Sequence, residues 1–583
     1  MTPTIAVRRW AASAAALGAY VPYAGAVAVT LAAPFEQLKP AIDLPVQKFT
    51  NVELVVLAAL VSWTMWWLVT RERPQVRTAL TAPVLLLLGT MALSALMAPD
   101  YRKEALSFTT RFAVGFLVYL LVVNSATGQR RLVGMLVAAG VAGTVVAGLG
   151  ILEYWQVPAV MEWLKPFKVG QILVGGERRI SSTLQYPTIT SMYLELTFGF
   201  TLGLLLLAVG RRQWWAVVPA FVALGLMAQA IILTLSRSGL IVMAGMLVVV
   251  GGLWLLRQGI DRGFWVVLAV LAMIAGLLGN RLLNDSMLWL RLTTENDESW
   301  YRARYQVPTE LELQTGQVHQ VDMVLTNVGR ATWRPGGDAP FRLSYHWLDS
   351  DTGEVVIFEG LRTELPHAVR PGQSVQLHAR IQAPPQPGRY RLAWDVLQEN
   401  RVWFSAKNSP GADSLVVVRG AAIGQPEPAP VSVIEPRLTL GRRTLWQLAG
   451  RMLATRPLLG VGPDNFRLLY GRYAGLERWD QGLHTNNMYV EFFVDMGLVG
   501  GVLFLWLLWR VLSTLRQGWR RVGLVGLPVF MGVAAAVAAF LLHGVVDYFF
   551  EFTSTYLMIW ITLGIAVASR RLHYHKAEQT ERQ

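Results

Sequence analysis

The sequence predicts an all-α polytopic membrane protein of about twelve transmembrane helices, with an extracytoplasmic immunoglobulin-like β-sandwich inserted into it. Three observations carry this. Apolar runs of about 20 residues recur along the chain. The short connections between them concentrate Lys and Arg on one side. Between the ninth and tenth runs the pattern changes to short alternating strands with regular turns. Composition agrees: the 583 residues are 53% hydrophobic and 15% charged, with mean hydropathy +0.39. A soluble chain would carry about 25% charge.

The apolar runs lie at 10–32, 52–70, 79–97, 105–124, 132–151, 188–209, 214–235, 238–256 and 264–279, then at 487–509, 522–546 and 552–568. The first follows Arg8 and Arg9. It is long, lacks a clean cleavage site and is followed by more spans, so it reads as an uncleaved helix.

Orientation follows from the loops. "RERPQVR", "GQRR", "GRRQ", "RQGIDR" and "RQGWRR" all fall on one side, together with both chain ends. The Lys/Arg bias makes that side cytoplasmic. Arg102 and Lys103, in a short outer loop, run against it. The formal charge of +14 is accounted for by these loops, and no basic run accompanies a nucleic-acid fold signature. With no cysteine, disulfides, thiolate metal sites and thiol nucleophiles are excluded.

The domains expected are helices one to nine over 1–280, a connection at 281–304, the β-sandwich at 305–419, a Pro-rich linker at 420–440, a helical extracytoplasmic loop at 441–486, and helices ten to twelve with a cytoplasmic tail at 487–583. Strands such as "QVDMVLTNVG" and "SVQLHARIQ", punctuated by "RPGGD", "DTGE" and "RPGQ", define the sandwich. Asp349 and Asp351 form an Asp-x-Asp, but in "LDSDTGE" they read as turn chemistry.

Ionisable residues in or beside spans are costly, so each is a candidate for function. His484, Asn487, Glu491 and Asp495 are spaced by three, four and four, which puts them on one helical face. A histidine at the membrane boundary with a carboxylate nearby suits a general base. Asp495 reads as structural. In "TLSRSGL" Arg237 sits in an outer turn and calls for an anion, either a diphosphate or a buried protein carboxylate. Arg443, Arg179 and Arg111 lie on the same side and with Arg237 make a basic cavity suited to phosphates. Arg178 and Arg442 read as solvated surface. His543, Asp547 and Glu551 repeat a spacing of four on one helix face; they either support the site or form a helix-bundle hydrogen-bond network, and the structural reading is preferred.

"RTLWQLAGRMLATRPLLGVGPDNF" followed by "HTNNMYVEFFVDMGLVGG" resembles the signature region of the O-antigen ligase and O-antigen polymerase superfamily. "TLSRSGL" resembles its Ser-Arg motif, and "RISSTLQYPTITSMYLEL" a weaker one. Asn486 stands where the family often has a second histidine, so His484 is the only histidine in the motif. The resemblance implies a metal-independent, inverting glycosyltransferase of the GT-C type that needs no cofactor. It would take a glycan from undecaprenyl diphosphate on the outer face of the inner membrane and pass it to an acceptor hydroxyl. His484 would be the base; Arg237 and Arg443, with Arg179 and Arg111, would hold the diphosphate; Asn487 and Glu491 would support the base. The acceptor is a lipid, a glycan or, in a protein O-oligosaccharyltransferase, a Ser or Thr. A polysaccharide flippase is the alternative from another class, but the inverted repeats and midplane broken helices of such folds are not seen.

Overall fold

The computed structural model describes residues 20–43, 48–71, 73–168, 170, 172–174, 177–284, 286–294, 298–336, 339–399, 401–421, 440–476, 478–524 and 526–581. The first half of the first apolar run, and nearly all of the Pro-rich linker, lie outside them. Two compact units emerge: one formed by 1–172, 179–280 and 439–583, the other by 173–178 and 281–438.

The first unit is helical. Its helices are α1 (Val21–Ala32), α2 (Asn51–Thr70), α3 (Thr81–Met97), α4 (Arg102–Ser125), α5 (Gln129–Tyr154), α6 (Pro158–Leu164), α7 (Pro187–Gly210), α8 (Trp214–Leu233), α9 (Arg237–Gln258) and α10 (Arg262–Asn284). After α11 (Ser286–Thr293), which belongs to the second unit, come α12 (Arg442–Thr455), α13 (Phe466–Tyr473), α14 (Met488–Arg521), α15 (Leu527–His543) and α16 (Thr553–Glu581). A helix therefore occupies each predicted apolar run within the described residues. Eight described helices are long and apolar enough to cross a membrane: α2, α4, α5, α7, α8, α9, α10 and α14. α1, α3 and α15 are apolar but shorter.

Local sequence sets the ends. Thr50 caps α2 in a capping box with Glu53, and Ser236 caps α9 by accepting from the Gly239 N–H. Pro187 and Pro528 open α7 and α15, where a missing N–H costs nothing. α7 is the buried centre of the unit. Gly199 and Gly203 bring its backbone against α15 so closely that an added Cβ would sit 2.7 Å from the Ala536 nitrogen or 2.8 Å from the Gly532 Cα. Small residues permit this approach, which maximises dispersion contacts where no hydrophobic effect drives helices together.

α14 corrects one expectation. The helix begins at Met488, with Asn487 as its cap: the Asn487 side chain accepts from the Tyr489 and Val490 N–H groups, 3.0 Å each. His484 therefore precedes the helix and does not share a helical face with Glu491 and Asp495. α15 corrects another. It ends at His543, and residues 544–552 are turns, so Asp547 and Glu551 leave the face that His543 occupies.

The second unit pairs two sheets over one core. Its strands are β1 (Ala303–Gln306), β2 (Glu310–Gln314), β3 (Val318–Asn327), β4 (Phe341–Asp349), β5 (Val355–Ile357), β6 (Thr363–Glu364), β7 (Ser374–Gln382), β8 (Gly388–Gln398), β9 (Val402–Trp403) and β10 (Ala412–Arg419). One sheet runs β6-β4-β8-β10-β2, with β5 on β4 and β9 on β8; the other runs β7-β3-β1. β10 and β2 are parallel, and the other pairs antiparallel. β7 alternates exposed and buried along its length, and its Val375, Leu377, Ala379 and Ile381 join Trp347, Leu392 and Trp394 in the core. Asp349 accepts from the Asp351 and Thr352 N–H groups, the turn that its sequence predicts.

Candidate functional site

The site grows from a loop and a helix that hold each other. "PLLGVGPDNF" turns between α12 and α13, and its backbone lies along a break in α14 at Gly497. Gly497 has φ 67°, and a Cβ there would meet the Leu458 carbonyl at 2.3 Å. A glycine is needed for both reasons. Leu498 and Val499 N–H groups, freed by the break, donate to the Pro457 and Leu458 carbonyls. Asp495 accepts from the Asp464 N–H at 2.8 Å and the Phe466 N–H at 3.0 Å, so it anchors the loop as a structural residue. This gives the acidic residue and the first glycine of "VDMGLVGG" one structural purpose, to hold the loop against the break in α14.

The same loop delivers Asp464 towards His484. Around that imidazole, Nδ1 lies 2.7 Å from Glu491 Oε1. The other Glu491 oxygen accepts from the Thr485 N–H at 2.8 Å and the Thr485 hydroxyl at 2.6 Å. Glu491, in the first turn of α14, is fully buried and reaches back to the residues before the helix. On the opposite edge, Nε2 faces Glu551 Oε2 at 3.5 Å and Asp464 Oδ1 at 3.9 Å. It has no hydrogen bond among the described residues, although it is buried. The Tyr548 ring lies 4.7 Å from the imidazole. Arg467 binds Asp464 Oδ2 through Nε and Nη2, at 3.0 and 2.7 Å.

Electrostatics follow from this crowding. Burial alone would push the His484 pKa down, but Glu491, Glu551 and Asp464 overcome it and hold the imidazole at about 10. Burial pushes Glu551 up to about 7 against the pull of His484. Tyr548 is driven well above the ordinary phenol value, by burial first and by the carboxylates second.

A turn at 544–552 carries Glu551, and several side chains fasten it. Arg442 Nη2 donates to the Val546 carbonyl at 3.0 Å, and Asn487 Nδ2 to the Val545 carbonyl at 2.9 Å. Arg111 Nη1 donates to the Glu551 carbonyl at 2.6 Å, and its guanidinium lies 4.9 Å from the Tyr556 ring. Trp446 Nε1 donates to the Thr485 carbonyl at 2.9 Å and so ties α12 to the histidine segment.

Of the residues singled out in the sequence, His484, Asn487 and Glu491 come together. Arg111 joins them through the Glu551 backbone. Arg179 Nε donates to the Thr234 carbonyl at 2.8 Å and steadies the turn that leads to Arg237, which is half-buried at the start of α9. Arg443 is exposed on α12, and Arg178 is exposed as expected. Arg442 is not solvated surface, since the 544–552 turn takes up its guanidinium. Asp464 is the residue that sequence reasoning left outside the site, and Glu551 the one it preferred to read as part of a structural network. His543 instead pairs with Glu195 at 2.8 Å, both fully buried.

Residues 434–505 match the family model described as O-antigen ligase. The match places this segment in the O-antigen ligase and polymerase superfamily. The O-antigen ligase segment contains α12, α13, His484, Glu491 and the Gly497 break; the Glu551 turn lies beyond it. This is a family of ligase-type glycosyltransferases, and with the apolar helices it marks an integral membrane protein. A comparison with curated proteins gives no match.

Proposed function

We propose that the chain transfers a glycan from undecaprenyl diphosphate to an acceptor hydroxyl at the outer face of the bacterial inner membrane. The observation that carries this reading is His484, fixed by Glu491 through Nδ1, with Nε2 facing Glu551 inside an O-antigen ligase segment. The acceptor oxygen attacks the anomeric carbon from the side away from the diphosphate. Its proton passes to the His484–Glu551 pair, where Glu551 accepts it beside the imidazolium. The bond from the anomeric carbon to the diphosphate oxygen breaks, and the diphosphate leaves with the electron pair. Guanidinium groups stabilise that developing charge without proton transfer. Arg237 and Arg443 take this role. Arg111 and Arg179, whose guanidinium groups donate to backbone carbonyls, position the segments around them.

The rest of the reading follows the same line. The chain spans the membrane about twelve times, with both ends cytoplasmic and His484 outside. The order β2-β10-β8-β4-β6, with its parallel first pair, supports an immunoglobulin-like sandwich. The test is a transfer assay with an undecaprenyl-diphosphate glycan and three acceptors: lipid A core, a carrier-linked glycan and a Ser/Thr peptide. Wild type should form a glycosidic bond with one of them. Full transfer by both His484→Ala and Arg237→Ala overturns the site. Movement of carrier across liposomes without bond formation favours a flippase.

A further inference from the structure

The end of the helical unit opposite His484 holds a cavity of about 520 Å³. It opens where α7 and α9 end and where α10 and α15 begin. α15 itself, with 17 residues, keeps it about 25 Å from the 544–552 turn. The inner wall is apolar, with Leu206, Leu527 and the Trp254 ring; Arg211, Arg212 and Arg262 rim it. All three arginines are exposed. Asp261 also lines the cavity, but its Oδ1 accepts from Trp254 Nε1 at 2.7 Å and from the Phe264 N–H at 3.1 Å, which spends it on holding α9 to α10. Among the described residues, no carboxylate pairs with any of the three guanidinium groups.

Three guanidinium groups against one carboxylate, above an apolar slot, define what fits. The ligand must be anionic at one end and hydrocarbon at the other. The neighbouring Leu255 and Leu256 side chains are exposed on α9, as lipid-facing residues are. The exposed Trp214 and Trp265, two and three residues from Arg212 and Arg262, match the belt that tryptophans form at membrane interfaces. The Lys/Arg bias puts this end in the cytoplasmic leaflet, where anionic headgroups concentrate.

We propose that this cavity binds an anionic phospholipid of the cytoplasmic leaflet, with the headgroup phosphate between Arg211, Arg212 and Arg262 and the acyl chains along the Leu206–Leu527 wall. The site is separate from the glycan chemistry and does not depend on it.

The test uses the purified full chain in neutral detergent, titrated with phosphatidylglycerol, phosphatidylcholine or inorganic phosphate, and read by native mass spectrometry and by Tm. Phosphatidylglycerol should bind and raise Tm, and the other two should not. The triple change of Arg211, Arg212 and Arg262 to Ala should weaken phosphatidylglycerol binding on the order of a hundredfold, given about a fivefold effect per basic residue. The Lys triple variant, which keeps charge and solubility, should retain most of it. Unchanged binding in the Ala variant overturns the proposal, as does equal binding of phosphatidylcholine or of free phosphate. Should the Ala variant not fold, Arg262→Gln alone must still weaken phosphatidylglycerol binding, and its failure to do so overturns the proposal equally.

Discussion

Glu551 stands 3.5 Å from His484 Nε2, on the edge of the ring opposite Glu491. One imidazole thus has a carboxylate on each nitrogen, and the two differ. Glu491 is fully buried and saturated by Thr485, whereas the Glu551 side chain is 28% exposed. In the proposed reaction the first orients the ring and the second exchanges a proton with the incoming hydroxyl.

Removing the orienting carboxylate should lower kcat more than it raises KM. His484→Ala should reduce transfer by about 10²–10⁴-fold, the usual worth of an acid–base group. Glu491→Gln should retain substrate binding and lose part of that factor. Steady-state kinetics on the two variants check this; equal kcat in wild type and Glu491→Gln would remove Glu491 from the site.

Rate should follow pH in a bell. Glu551 must be ionised to accept a proton, so activity rises through about 7. The imidazolium beside it is lost through about 10, where activity falls. Glu551→Gln should abolish the acidic limb and leave a low rate that falls only on the alkaline side. The same shift bears on stability. The His484 pKa is raised on folding, so its contribution is complete below the unfolded value near 6.5 and disappears as pH rises through about 10. Melting curves between these limits should decline in wild type, and the step near 10 should be missing in His484→Ala.

Asp495 and Gly497 should register as stability, with activity lost only through folding. Asp495→Ala leaves two buried N–H groups unpaired, at about 1–3 kcal/mol each. Gly497→Ala forces a side chain into a left-handed backbone and against Leu458, costing more than about 2 kcal/mol. Both should lower Tm sharply; a normal Tm with lost transfer would mean that Asp495 touches the chemistry.

Deleting 305–419 should spare bond formation and change acceptor preference. The transfer assay with the three acceptors reads this directly, and an unchanged acceptor profile would deny the sheets any part in selection.

Much of this was legible in the sequence, because hydropathy and strand alternation are local signals. The helices fall on the apolar runs, and strands occupy the alternating stretch. His484 and Glu491 were found because they are close in sequence, although a cap at Asn487 replaced the supposed continuous helix. Glu551 was misread for a physical reason. A spacing of four from Asp547 imitates a helix face, and only the turn after His543 sends it 67 residues back along the chain to His484. Asp464 was hidden in what looked like a helix breaker. Arg442 looked solvated because the carbonyl it binds, on Val546, has no side-chain signature.

The glycine contact between α7 and α15 has a mechanical meaning. With Gly203 and Gly532 backbone to backbone, neither helix can slide along the other without driving a carbonyl into a Cα. The pair acts as a fixed post from which the Glu551 turn is hung. α12 reaches that turn through one hydrogen bond, Arg442 to the Val546 carbonyl, while its Leu445, Leu448 and Met452 pack in a separate apolar cluster, so a shift of α12 need not move the post.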